Sequence, residues 1–255
     1  MSAILRLESL SKQFVKDDLG IVALRDFTLE IEEAGFVTVL GRSGCGKSTM
    51  LNLLAGLIPP SSGTVTYRGE PIVRPRPEIG YLTQSDTLMP WRDVRRNIEM
   101  PMEIKGVPAP RRRERAAELI ERVGLWGFER HYPRELSGGM RRRVSLARML
   151  VGDPETLLLD EPFGALDAQL RTDLQAELLR LWEGSGQTVV FVTHDIEEAL
   201  LLGDRVVVLG RLGRVVLDRK IDIPRPRAAD EMRVDPGFVA LHREMTAALA
   251  EGARS

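Results

Sequence analysis

Nine consecutive residues, Gly41-Arg42-Ser43-Gly44-Cys45-Gly46-Lys47-Ser48-Thr49, have the types and spacing to hold a phosphate chain. They follow the apolar run Phe36 to Leu40 and precede the helical pattern Met50 to Leu57, so a strand delivers the loop and a helix leaves it. Glycines let successive amides turn into one concavity, and that nest together with a helix N-terminus favours an anion. Lys47 adds a full positive charge for β- and γ-phosphates, and the Ser48 hydroxyl is a ligand type suited to Mg²⁺. A glycine-rich turn that merely contains a lysine would not require the flanking strand and helix. A nucleoside triphosphate is the expected ligand.

Two further strand ends supply groups that could act on it. The apolar run Thr156 to Leu159 finishes in Asp160-Glu161, which is how a buried parallel strand brings acids to a sheet edge. Asp160 suits Mg²⁺, directly or through water, while Glu161 suits orienting and polarising an attacking water. His194 ends the run Thr188 to Thr193 either as a neutral donor to a γ-phosphate or as a helix cap. Gln84 follows Ile79 to Leu82 either over the site or as a solvated loop residue. Phe14 is an adenine-stacking face or a core aromatic. Leu136-Ser137-Gly138-Gly139-Met140 offers bare amides and a hydroxyl at the start of a helix, a second anion site. One mononucleotide does not need two such sites in one subunit, so the second fits a nucleotide held mainly by a partner. Past Gln84, the apolar Leu88, Met89 and Trp91 stand in a loop that enters the helical segment.

The elements that position these groups follow from periodicity. Ile4 to Leu10 reads as a strand ended by Ser11 to Phe14, a polar turn covers Lys16 to Gly20, and Leu24 to Ile31 alternates as a second strand. Such antiparallel strands would flank the parallel core that begins at Phe36. Thr64 to Tyr67 continues the strand pattern, and Pro71 to Pro77 reads as a loop. From Ser85 to about Pro154 strand signals vanish. Arg111 to Leu125 has helical spacing, with Ala116, Leu119, Ile120 and Val123 on one face, and so does Met140 to Val151. The arginine runs 111–113 and 141–143 are basic, but Glu114, Glu118 and Glu121 offset the first, so solvated or phosphate-facing sides fit better than a nucleic-acid groove. Leu170 to Trp182 is a further helix, and Arg205 to Leu209 with Arg214 to Leu217 is a hairpin. Ile223-Pro224-Arg225-Pro226-Arg227 reads as a linker or surface arm before a short helix carrying Phe238, Leu241, Met245 and Leu249. The fold class is α/β, with residues 1–85 and 155–217 as a nucleotide-binding core, 86–154 as an inserted helical subdomain and 218–255 as a short extension.

Composition narrows the classes. The 255 residues are 43% hydrophobic and 29% charged, values of a soluble globular chain. Lysine plus arginine number 36 against 37 acids, a net charge of -1, so no global basic field recruits nucleic acid. No apolar run reaches the roughly 18 residues of a membrane span, and no secretion-signal layout opens the chain, so a cytosolic location is expected. The one cysteine, Cys45, excludes an internal disulfide and a multi-cysteine metal site.

Gly41 to Thr49, Gln84, Leu136 to Met140, Leu157 to Glu161, Leu166-Asp167 and His194 occur in the order seen in ATP-binding-cassette ATPases, which the chain resembles over roughly residues 1–217. The pentapeptide LSGGM carries the resemblance most specifically. Pro90-Trp91, Gly139-Met140-Arg141, Asp160 to Asp167 and Pro224 to Arg227 look like the nitrate/sulfonate/taurine import subgroup. The resemblance implies a P-loop NTPase (RecA-like) core with an antiparallel β subdomain and an inserted α-helical subdomain. It also implies a head-to-tail homodimer with two ATP at the interface, each between one subunit's phosphate loop and the other's Ser137-Gly138-Gly139. Phe14 is assigned to adenine stacking, Gln84 to sensing Mg²⁺ and coupling to the permease, Glu161 to general base, His194 to the γ-phosphate and Asp167 to the dimer contact. Integral membrane permease subunits are the implied partners, with Leu88, Met89 and Trp91 either lining a groove for a short permease helix or packing inside the insertion. The chain itself is then cytoplasmic, peripheral on the cytoplasmic face of the inner membrane, and a periplasmic or extracellular solute-binding protein acts indirectly. Two residues depart from the family pattern. Arg42 stands where proline is usual, which should loosen the opening turn of the loop. Arg142 replaces the usual glutamine after the signature, with phosphate or an interface as its expected target. A soluble scaffold ATPase working on DNA or ribosomes would need a long coiled coil, tandem cassettes or a basic surface. An exporter or assembly ATPase remains the other alternative to an importer subunit.

Overall fold

The computed structural model describes residues 3–16, 19–164, 166–227 and 232–254; Asp17 and Asp18 of the expected polar turn lie outside them. Two long strands, β1 (Ala3–Lys16) and β2 (Leu19–Glu32), precede β3 (Phe36–Gly41) and helix α1 (Lys47–Leu54). After β4 (Ser62–Tyr67) and the short β5 (Glu70–Pro71), β6 (Ile79–Leu82) leads to α2 (Val94–Ile104), α3 (Ala109–Arg122) and α4 (Gly138–Leu150). Then come β7 (Thr156–Asp160), α5 (Ala168–Trp182), β8 (Thr188–Thr193) and α6 (Ile196–Leu202). β9 (Arg205–Leu209), β10 (Val215–Lys220) and α7 (Pro236–Arg254) follow.

Two compact units emerge. The first comprises Met1–Arg76, Thr156–Glu161 and Gly186–Ser255; the second comprises Pro77–Glu155 and Pro162–Ser185. In the first, β2, β1, β4 and β5 form an antiparallel sheet in that order, and β7, β8, β3 and β9 run parallel as successive neighbours, with β10 antiparallel on β9. Every residue of β3, β7 and β8 is buried. That explains why these strands read as continuous apolar runs, since helices cover both faces of a parallel sheet. Their C-terminal ends are Gly41, Asp160 and Thr193, each one step from a residue proposed to do chemistry.

The first sheet extends beyond its sequence signal. Lys12 pairs with Leu24, Gln13 with Val22 and Phe14 with Ile21, so β1 continues where an end was expected. Exposure on both faces erases the alternation there although the ladder persists. The segment expected as a linker or surface arm is likewise held in place. Arg227 is buried and donates from Nη1 to Leu200 O at 2.9 Å and to Gly203 O at 2.5 Å, while Arg225 donates to Leu202 O and Asp204. The last carbonyls of α6 lack helical partners, and these guanidiniums supply donors. Burial, with repulsion from Arg225, pushes the Arg227 guanidinium down to about 10, so it stays charged near neutrality. The expected short helix is a 19-residue α7 that buries Phe238, Leu241 and Met245 against α6 and β9.

In the second unit α4 and α5 share an ion pair whose carboxylate is buried and whose guanidinium is partly exposed. Glu177 of α5 is 3% exposed and its Oε2 lies 3.0 Å from Arg143 Nη1. Burial raises the Glu177 carboxyl above its ordinary value, against the smaller pull of Arg143 and Arg180. A folded pKa above the unfolded one means that protonation favours the fold. The contribution is complete below the ordinary carboxylate range and is lost as pH rises through the folded value. A Glu177→Gln variant, which does not titrate, should therefore gain Tm on the wild type as pH rises from about 4 towards 7. A constant Tm gap across that window would contradict the raised carboxyl.

Candidate nucleotide site

The loop between β3 and α1 closes through Cys45 N donating to Arg42 O at 3.3 Å. Gly46, at φ 108°, is the N-cap of α1 and brings no side-chain acceptor, which leaves the first-turn amides to an anion. A Cβ on Gly46 would sit 2.6 Å from Leu24 Cδ2 and 2.7 Å from Ala23 O, so close approach and backbone both demand glycine. Lys47 is 5% exposed; its Nζ donates to Gly41 O at 2.7 Å and Arg42 O at 3.2 Å and lies 3.4 Å from Glu161 Oε1. Cys45 is buried, and burial pushes its thiol up more than Lys47 lowers it. It acts as a small side chain with little thiolate character.

Ser48 Oγ donates to Asp160 Oδ1 at 3.1 Å. A hydroxyl and a carboxylate side by side fit Mg²⁺, which takes one or two protein oxygens and completes its shell with phosphate and water. Glu161 follows at φ 43°, a left-handed backbone costing about 1–2 kcal/mol for a residue with a side chain. Contacts at both ends hold it there: its N donates to Val192 O at 3.0 Å, and Oε2 meets His194 Nδ1 at 3.0 Å. A carboxylate only accepts, so Nδ1 carries the proton of that contact. Neutral His194 then presents Nε2 as an acceptor. Donation from Nε2 to a phosphate requires the doubly protonated ring, which modifies the expectation of a neutral donor.

Phe14 is 40% exposed on β1, with Lys12 Nζ 5.1 Å from its ring centre, so it is not a core aromatic. In the second unit Ser137 is the N-cap of α4, its Oγ accepting from Met140 N at 3.2 Å, and its hydroxyl hydrogen can still donate to an anion. Gly139 is buried against Leu170, whose Cδ2 a Cβ would meet at 2.6 Å. Gln84 is exposed just after β6. Asp167 caps α5 by accepting from Leu170 N at 3.0 Å, a role that its place after Leu166 did not announce. Trp91 is 69% exposed, which removes the packed alternative, and Leu88 and Met89 are half-buried. Buried Asn97 of α2 holds this loop by accepting from Met89 N at 2.8 Å and donating to Arg92 O at 2.8 Å.

The family model described as ABC transporter matches residues 24–164, more than half of the chain. An uncharacterized ABC transporter ATP-binding protein of Methanocaldococcus jannaschii is 48% identical over 228 residues, 89% of this chain and 85% of that protein. The chain belongs to the ABC transporter family. The taurine import ATP-binding protein TauB of Yersinia pestis is 43% identical over 231 residues, 89% of this chain and 91% of TauB. Among solved structures, the dimeric ATP-binding cassette MJ0796 in a post-hydrolysis state bound to ADP and Pi superposes with a TM-score of 0.77 at 33% identity, covering 86% of this chain and 100% of that one. This ABC protein is thus an ATPase with an α/β P-loop NTPase fold, and ATP is its nucleotide. No helix of the described residues is long and apolar enough to cross a membrane.

Both departures from the ABC pattern take on physical form. Arg42 is exposed, and its carbonyl accepts from Cys45 N in the opening turn, a contact that a proline carbonyl would offer equally. Arg142 was expected to reach phosphate or an interface. It is instead 4% exposed and donates from Nη1 to Thr83 O at 2.8 Å.

Proposed function

We propose that this chain is the ATP-hydrolysing subunit of a membrane importer, powering uptake of a small anionic solute of nitrate/sulfonate/taurine type through a partner permease. The observation that carries the catalytic half is the Glu161 carboxylate, held between Lys47 and His194 at the end of β7. Glu161 takes a proton from water as the water oxygen bonds to the γ-phosphorus and the bond to the β–γ bridging oxygen breaks. Lys47 and the α1 amides bind the phosphates and offset the charge that develops on them. His194 keeps Glu161 oriented and, when doubly protonated, faces the γ-phosphate. Ser48 and Asp160, with Gln84, would hold Mg²⁺, which when bound neutralises phosphate charge. Phe14 stacks the adenine.

A second copy of the chain supplies Ser137, Gly138 and Gly139 to the nucleotide, with Asp167 at the contact, in a head-to-tail homodimer. The dimeric MJ0796 cassette supports that arrangement. The import reading rests on TauB, whose name states taurine import and whose length this chain nearly spans. It puts the subunit in the cytoplasm, peripheral on the inner membrane, with a solute-binding protein acting indirectly. Trp91 stands exposed on a loop fixed by Asn97, and with Leu88 and Met89 it forms the anchor for a short permease helix. Trp91→Ala should leave the isolated subunit's ATPase and Tm unchanged, while co-purification with the permease and solute uptake are lost. Retained uptake in a complex that still assembles would refute the docking role.

A further inference from the structure

The segment bearing Gln84 is tied to the helix that begins at Ser137 through three arginines. Arg142 donates from Nη1 to Thr83 O at 2.8 Å, and the same nitrogen lies 3.7 Å from Asp86 Oδ1. Arg148 donates from Nη1 to Thr87 O at 2.8 Å and from Nη2 to Thr87 Oγ1 at 2.7 Å. Arg141 Nε reaches Asp86 Oδ2 at 3.4 Å, and its Nη1 donates to Leu136 O at 2.7 Å, the residue before Ser137. Positions 141 and 148 lie two turns apart on one face of α4, and 142 adjoins that face. The acceptors Thr83 O and Thr87 O are main-chain atoms on either side of Gln84. What is fixed is therefore the path of the backbone, while the Gln84 side chain stays exposed.

Chemistry explains why arginine does this. A guanidinium offers donors in a rigid fork and stays charged when buried, so one side chain can serve a carbonyl and a carboxylate together. A glutamine at 142 has a shorter stem, a neutral amide and no attraction for Asp86. The bond made by Arg142 has a charged donor and is partly buried, a setting in which such a bond resists stretching, while those of Arg148 add a two-point grip on Thr87 at the surface.

We infer that Arg142, assisted by Arg148 and Asp86, is a positioning residue that makes the Gln84 segment and α4 move as one body. A displacement of Gln84 by the γ-phosphate then arrives at Ser137, Gly138 and Gly139. This rests on the reading of Gln84 given above. The clamp acts on hydrolysis through Gln84, and the phosphate loop, built in the other unit, keeps its own affinity for ATP.

A double-mutant cycle on the full chain separates this from simple stabilisation. Arg142→Gln should lower kcat about tenfold, the scale of a misplaced catalytic group, with KM and the ATP dissociation constant within about twofold of wild type. Gln84→Ala should lower kcat by at least as much. The double variant should be no slower than Gln84→Ala alone, because a clamp has nothing to position once the glutamine is gone. Multiplied effects would overturn the inference while leaving the role of Gln84 standing. An unchanged kcat in Gln84→Ala would remove that role and the inference with it. Should Arg142→Gln fail to fold, Asp86→Asn enters the same cycle from a partly exposed position with the same two outcomes.

Discussion

Lys47→Ala is expected to weaken ATP binding by about two orders of magnitude or more, the sum of charge-assisted bonds worth roughly 1.5–3 kcal/mol each. The lysine does two things in the structure. Its Nζ ties down Gly41 O and Arg42 O, the carbonyls that open the phosphate loop, and it stands 3.4 Å from Glu161. Alanine removes the cation from a cradle that otherwise offers only amides, and it leaves Glu161 without its nearest positive neighbour on that side. Isothermal titration with ATP on the folded variant is the measurement. A dissociation constant near that of the wild type would mean that the loop does not hold phosphate.

Glu161→Gln separates binding from chemistry. The amide has the size of the carboxylate and can accept from His194 Nδ1, while Lys47 retains Gly41 O and Arg42 O. Ser48 and Asp160 are untouched. What disappears is the group able to take a proton, so turnover should fall by a factor of about a hundred or more with ATP affinity retained. Turnover close to that of the wild type would assign the base to another residue.

How much of this could be read from the residues depends on what kind of signal each element leaves. The phosphate loop and the acids after β7 were legible because a buried parallel strand must be apolar throughout and must end where the site begins. Helix α2 was not legible: Pro101 lies inside it, and buried Asn97 and Glu99 interrupt the apolar spacing. Asn97 is buried because it serves the loop at Met89 and Arg92, a tertiary reason that periodicity does not carry. Helix α6 escaped because its run of alanine and leucines is buried throughout and has no polar face to set a period. Arg225 and Arg227 looked like solvated charges between prolines, yet their partners are carbonyls of α6, more than twenty residues earlier. The left-handed backbone of Glu161 left no trace in the residue types, whereas Arg142 was visible as a departure and its target on Thr83 was not.

In the proposed function two copies of this chain close over ATP held by the Lys47 loop, with Glu161 as the base. Gel filtration with light scattering on the Glu161→Gln protein in ATP and Mg²⁺, followed by counting the nucleotide in the peak, tests it most directly. A dimer carrying two uncleaved ATP is expected, and a monomer when Lys47→Ala is added. A Glu161→Gln protein that stays monomeric at saturating ATP, or that elutes with ADP, would contradict it.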